Sequence, residues 1–269
     1  MAGMGKALKR APLVGLLLGM PAVAATEQEP AALQQLRQMG VQFAGTFEAK
    51  GGLTAWAGYH GDQPLAVYEA PDGEHIILGR ILDASGENVN QAALEQRVNS
   101  EMAADVMQRL ERSTWIADGA DDADTVAYVF TDLNCPYCNK LWVDARPWVE
   151  SGRLQLRHVL VGILRDNSAA KAATLLTSDN PHQQLAEHAR LHMQRLGNGP
   201  MRPVGDGGVA ALRRIPPAIQ AQLDGNHALM GELGLRATPA LVWLDADGRL
   251  HKQTGAPEAL LTRIGGPLK

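Results

Sequence analysis

The 269-residue sequence predicts a mixed α+β and α/β protein. A small helix-plus-sheet unit comes first, then a long amphipathic helix, then a strand–helix–strand unit interrupted by a helical stretch. Three observations predict this. Short β-rich runs between residues 41 and 82 are cut by Gly51-Gly52, Gly61-Asp62, Pro71-Asp72-Gly73 and Ser85-Gly86, the punctuation of antiparallel hairpins. Leu94, Val98, Met102, Val106 and Leu110 recur every four residues, an apolar stripe at helical period. Thr125 to Phe130 is a continuous apolar run of the kind a buried parallel strand shows, and it is followed at once by Cys135 and Cys138.

The chain begins with Lys6, Lys9 and Arg10, then the apolar run Ala11 to Met20, then Ala22, Val23 and Ala24. A basic region, a short apolar run and small residues in this order predict a signal peptide, residues 1–24, cleaved near Ala24. The run ends at Pro21, too short for a membrane span of about 20 apolar residues. Removing it takes away three positive charges and moves the formal charge from -4 to -7. The predicted mature protein is exported, acidic and without a stable membrane anchor. Its charge offers no phosphate-neutralising stripe, which argues against nucleic acid as a partner.

Residues 29–39 predict a short helix, with Pro30 near its start and Gly40 past its end. Strands are predicted at Val41 to Phe47, Leu53 to Tyr59, Leu65 to Glu69 and His75 to Leu82, which makes 25–89 the first domain. Asn90 to Trp115 predicts a helix, and 90–116 a linker long enough to hold two domains apart, unless it packs on one domain's core. After the acidic loop Asp118 to Asp124, residues 117–269 form the second domain. Its strands are predicted at 125–130, 154–164, 240–244 and 250–253, with a mostly helical stretch at 166–231 and a last helix from Pro257 to Ile264.

Cysteines at the start of a helix have a physical consequence. The free N–H groups of the first turn and the helix dipole stabilise a thiolate there. Cys135 is therefore the expected nucleophile, and Cys138, among Leu141 and Trp142, the buried partner that resolves a mixed disulfide. Pro136 suits an early helical position, and Tyr137, between the cysteines, cannot be wholly buried if the disulfide is accessible. A static disulfide would close only a four-residue ring and remove little chain entropy. A zinc site would need a second ligand pair. His182, His188 and His192 lack the glutamate of a zinc protease motif and read as a solvated helical face, so no metal or other cofactor is expected. Asp132 could tune proton transfer or simply cap the helix.

AYVFTDLNCPYC (127–138) and LRATPALVWLDADG (235–248) resemble the two active-site segments of a thioredoxin fold. PDGEH, SGENVN, ARPWVESG and LRHVLVG extend the resemblance through most of the mature chain to the DsbC/DsbG family. It implies a thioredoxin-like domain with a helical insertion at 166–231, preceded by a small cystatin-like α+β dimerisation domain and a linker helix. It also implies a V-shaped periplasmic homodimer that isomerises or reduces disulfides in substrate proteins, or reduces sulfenic acids, with electrons from the membrane reductase DsbD. Carried over by position, Cys135 resembles the attacking cysteine, Cys138 the resolving one, Pro239 the cis-proline, and Thr238 the residue contacting thiolate and substrate. Pro136-Tyr137 and the lack of a second disulfide favour the DsbG branch. Leu133-Asn134 departs from the Pro-Phe that the relatives carry after the aspartate. Two other roles fit the same resemblance: a holdase chaperone with secondary redox activity, and a DsbA-like net oxidase, which the implied dimer argues against.

Overall fold

A computed structural model describes residues 29–268. The predicted signal peptide lies outside the described residues.

Helix α1 (Ala31–Gln38) lays Leu33 and Leu36 against Trp56 and Val67, on one face of a four-stranded antiparallel sheet. Its strands are β1 (Gln42–Glu48), β2 (Thr54–His60), β3 (Gln63–Glu69) and β4 (Ile76–Leu78), in that order across the sheet. Side chains alternate between faces along each strand, so Ala55, Ala57, Tyr59, Ala66 and Tyr68 form a second core on the other side. Strand β4 is shorter than predicted. The chain bends at Gly79, leaving Leu82 to make a single bridge with Asn88.

Helix α2 (Gln91–Arg112) is 22 residues long, or about 33 Å at 1.5 Å per residue. Its apolar stripe serves two cores. Leu94, Val98 and Met102 cover the first sheet, whereas Val106 and Leu110 pack on the second with Tyr128, Phe130 and Leu229. The helix stops before Trp115. The Ser113 hydroxyl donates to the Leu110 carbonyl, and the Asn226 side chain bonds both the N–H and the carbonyl of Thr114. Trp115 therefore opens a strand, β5 (Trp115–Asp118), where helix and then acidic loop were predicted.

The second sheet also contains β6 (Thr125–Thr131), β7 (Leu154–Leu160), β8 (Ala240–Leu244) and β9 (Leu250–Thr254), in the order β5-β7-β6-β8-β9. Only β6 and β7 run parallel, joined by α3 (Pro136–Asp144) and α4 (Arg146–Glu150). These two helices and α8 (Leu260–Gly265) cover the face that carries Ala127, Val129, Leu241 and Trp243. The opposite face, with Tyr128, Phe130 and Val242, is covered by the end of α2 and by α7 (Pro217–Glu232).

The predicted helical stretch contains α5 (Ser168–Leu176) and α6 (Pro181–Leu196), then an irregular run to Pro216 that Gly and Pro residues keep from becoming helix. Leu133, Trp142 and Leu160 join a third core with both helices. Here the histidines depart from expectation. His188 and His192 are buried, at 1% and 7% exposure, not solvated, because the face they share with Leu185, Ala189 and Leu196 is the one α6 turns inward. Only His182 is exposed, beside Asp118.

Candidate active site

The site forms where β6 ends. Strands β6 and β8 are antiparallel, with Phe130 opposite Ala240, so the residues just before β8 lie beside the residues just after β6. Those are Thr238 and Pro239, joined by a cis peptide, and the turn leading to Cys135. The Cys135 thiol donates to the Thr238 carbonyl at 3.2 Å across 103 residues of sequence.

Cys135 is the N-cap of α3 rather than a residue of its first turn, and its Sγ accepts from the Cys138 N–H at 3.4 Å. Sulfur thus occupies the place that a serine or aspartate oxygen takes in an ordinary cap. Pro136 follows at N1 and is buried. Tyr137 is 54% exposed, as the spacing requires, while both cysteines are buried and free.

The two thiols are driven apart. Donation from the Cys138 thiol lowers the Cys135 pKa to about 7 against the opposing effect of burial. The nearby Thr238 side chain and the N–H groups of Cys138 and Tyr137 add to the lowering. Burial pushes the Cys138 thiol up, and hydrogen bonding and charge from Cys135 push it further. The Asp132 backbone and the Thr238 side chain pull the other way. The buried Thr238 hydroxyl itself has no hydrogen-bond partner. The thiols titrate as a pair, the first proton leaving the sulfur at the helix mouth.

Asp132 is wholly buried. Its carboxylate accepts from the N–H groups of Asn134 (2.8 Å), Ile163 (2.8 Å) and Leu164 (3.0 Å) and from the Ser168 hydroxyl (2.9 Å). It caps the turn ahead of α3 instead of α3 itself. These bonds also explain why β7 stops short of the predicted 164, since Val161 still bonds the Thr131 carbonyl but the Ile163 and Leu164 amides turn to Asp132. Leu133 sends its side chain into the third core, and its carbonyl accepts from His188 Nε2 at 2.6 Å. The Asn134 amide donates to Asn167 and Ser168 and accepts from Lys171 Nζ at 3.2 Å.

Sequence reasoning missed this supporting set. Lys171 sits among alanines with nothing to mark it, whereas the helical register of His188 with Leu185, Ala189 and Leu196 was a readable sign of burial. Among the described residues, no group of three or more His, Cys, Asp or Glu side chains could hold a metal ion.

No family model matches the chain. It is 40% identical over 252 residues, 93% of this chain and 94% of the relative, to the thiol:disulfide interchange protein DsbG of Pseudomonas aeruginosa. Its identity to DsbG of Escherichia coli K12 is 33% over 255 residues, 93% of this chain and 95% of that one. The chain belongs to the DsbG family of thiol:disulfide interchange proteins. As a DsbG-family chain it is a thiol–disulfide oxidoreductase with a thioredoxin-like fold. Among solved structures it is similar to a periplasmic thioredoxin-like protein from Salmonella enterica serovar Typhimurium, at 19% identity and a TM-score of 0.42, covering 56% of this chain and 88% of that one. Among the described residues, no helix of this DsbG-family chain is long and apolar enough to cross a membrane.

Proposed function

We propose that the chain is a periplasmic dithiol that works in its reduced form, with Cys135 attacking and Cys138 resolving. The observation that carries this reading is the N-cap position of Cys135, its Sγ accepting from the Cys138 N–H, with its pKa lowered to about 7. Near neutral pH a large share of Cys135 is thiolate, and it displaces one sulfur of a substrate disulfide. A mixed disulfide forms and the departing substrate sulfur takes a proton. Cys138 then loses its proton and attacks Cys135 Sγ, which closes the Cys135–Cys138 disulfide and frees the second substrate thiol. If another substrate thiol attacks first, the substrate is isomerised and the dithiol is restored.

A sulfenic acid on a substrate cysteine enters the same route. The Cys135 thiolate displaces hydroxide, which leaves as water with one proton, and Cys138 resolves the mixed disulfide. Net reduction in an oxidising compartment needs an electron source, and the DsbD membrane reductase is the donor in this reading. Pairing of two copies through the four-stranded sheet units would set two such sites across one cleft, where unfolded chains bind.

The test is exchange on a scrambled-disulfide substrate. Cys135→Ser is expected to fall to background, and Cys138→Ala to accumulate mixed disulfides on Cys135. Full activity in Cys135→Ser would overturn the assignment.

A further inference from the structure

Lys171 is the buried group that the exchange chemistry leaves unused. It stands in α5 between Ala170 and Ala172 and is wholly buried, a rare place for an ammonium. Its Nζ donates to the carbonyls of Gly205 and Gly207, both at 2.6 Å, and to Asn134 Oδ1 at 3.2 Å. All three of its protons are thereby committed. It has no carboxylate at ion-pair distance among the described residues. Burial pushes its pKa down, opposed through space by Asp206 and Asp132, and its charge in turn acts on His188 and His192.

The bond to Asn134 begins a directed chain. Asn134 Nδ2 donates to Ser168 Oγ at 2.9 Å, and Ser168 Oγ donates to Asp132 Oδ1 at 2.9 Å. Every donor points the same way, from a buried ammonium to a buried carboxylate, so each bond polarises the next. The chain ends on the turn that carries Cys135 and leads into α3, which carries Cys138. The Asp132 carbonyl accepts from the Cys135 N–H at 2.9 Å, and the Asp132 backbone faces the Cys138 thiol. A methionine of similar length would fill position 171 without a charge to desolvate, so packing alone does not account for a lysine there.

We propose that Lys171 is a positioning residue for thiol–disulfide exchange: through Asn134 and Ser168 it holds the 132–135 turn so that Cys135 Sγ stays between the Thr238 carbonyl and the Cys138 amide. This rests on the reading of Cys135 as the attacking thiol. The helical insertion thereby acts on the redox pair without touching it.

The experiment uses the whole chain with Lys171→Met, Ser168→Ala and both together. The readouts are thiolate ultraviolet absorbance against pH, the equilibrium constant with glutathione, and kcat and KM for exchange, with circular dichroism as the check of folding. Lys171→Met is expected to move the Cys135 titration upward and to change the glutathione equilibrium roughly tenfold, about one pKa unit's worth. It should lower kcat while leaving KM in place. The double variant should be no worse than Lys171→Met, because the chain is already broken. A Lys171→Met protein that loses only thermal stability, with titration and equilibrium unmoved, overturns the proposal. If Lys171→Met does not fold, Ser168→Ala decides on the same readouts. Cys135→Ser separates the two failures. Activity retained in it sinks the reading of the thiol, whereas loss of activity in it beside unaltered Lys171→Met and Ser168→Ala proteins sinks this inference alone.

Discussion

His188 shows how much one side chain can fix. The Val209 N–H donates to its Nδ1 at 3.0 Å, and its Nε2 lies 2.6 Å from the Leu133 carbonyl. An amide can only donate and a carbonyl can only accept, so the ring is neutral with its proton on Nε2. A Cβ at position 208 would fall 2.2 Å from Nδ1, and Gly208 has φ +74°, so glycine is required there twice over. Burial lowers the His188 pKa to about 4. The unfolded chain takes up this proton near pH 6.5 and the folded chain does not until about pH 4. The stability that His188 contributes is thus complete above about 6.5 and is lost as pH falls toward 4, by roughly 3 kcal/mol. Urea unfolding between pH 4 and 7 checks this. His188→Gln should be less stable at pH 7 and should lose part of the slope with pH, and an unchanged slope would dispose of the assignment.

At the scale of elements, the close approach of α5 to the chain leaving β7 depends on Gly162. A Cβ there would lie 2.4 Å from the Ala169 Cα and 2.5 Å from its N. Gly162→Ala should therefore cost about 1–3 kcal/mol by overpacking. Gly225→Ala, inside α7 with nothing within 4 Å of the new Cβ, should add about 0.5–1 kcal/mol of stability. Denaturant midpoints that move the same way in both would show that packing at 162 is not what sets the cost. The elements most legible in the sequence were those whose burial pattern is complete along one run: β6, β8, α2 and the start of α3. Strand β5 escaped because its four residues follow a helix directly and run into Asp118, which looks like a loop residue until Arg146 is seen to pair with it. The cysteines were legible because they stand three apart at a helix start, whereas Thr238 and Pro239 were reached only through the family resemblance. The Lys171 and His188 supports were not legible, because each is defined by partners more than 20 residues away.

Across the whole molecule, α2 divides its stripe between two sheets, and one ion pair reinforces that link. Lys252 on β9 pairs with Asp62 in the β2–β3 turn and also donates to the Leu233 carbonyl at 2.7 Å. The Asp62 side chain is only 3% exposed, so removing the cation strands a buried carboxylate. A double-mutant cycle with Asp62→Asn and Lys252→Met should return a coupling of about 1–3 kcal/mol. Zero coupling would mean that the pair does not join the two sheets in solution.

The bond from Cys135 to Thr238 has a temporal consequence. A ribosome delivers the amino end first, so Cys135 emerges 103 residues before the carbonyl that its thiol bonds. Until β8 docks against β6, the Thr238 carbonyl cannot accept from the Cys135 thiol. A growing or unfolded chain therefore lacks this contact, and the surroundings of Cys135 are complete only when the last strands of the sheet have docked.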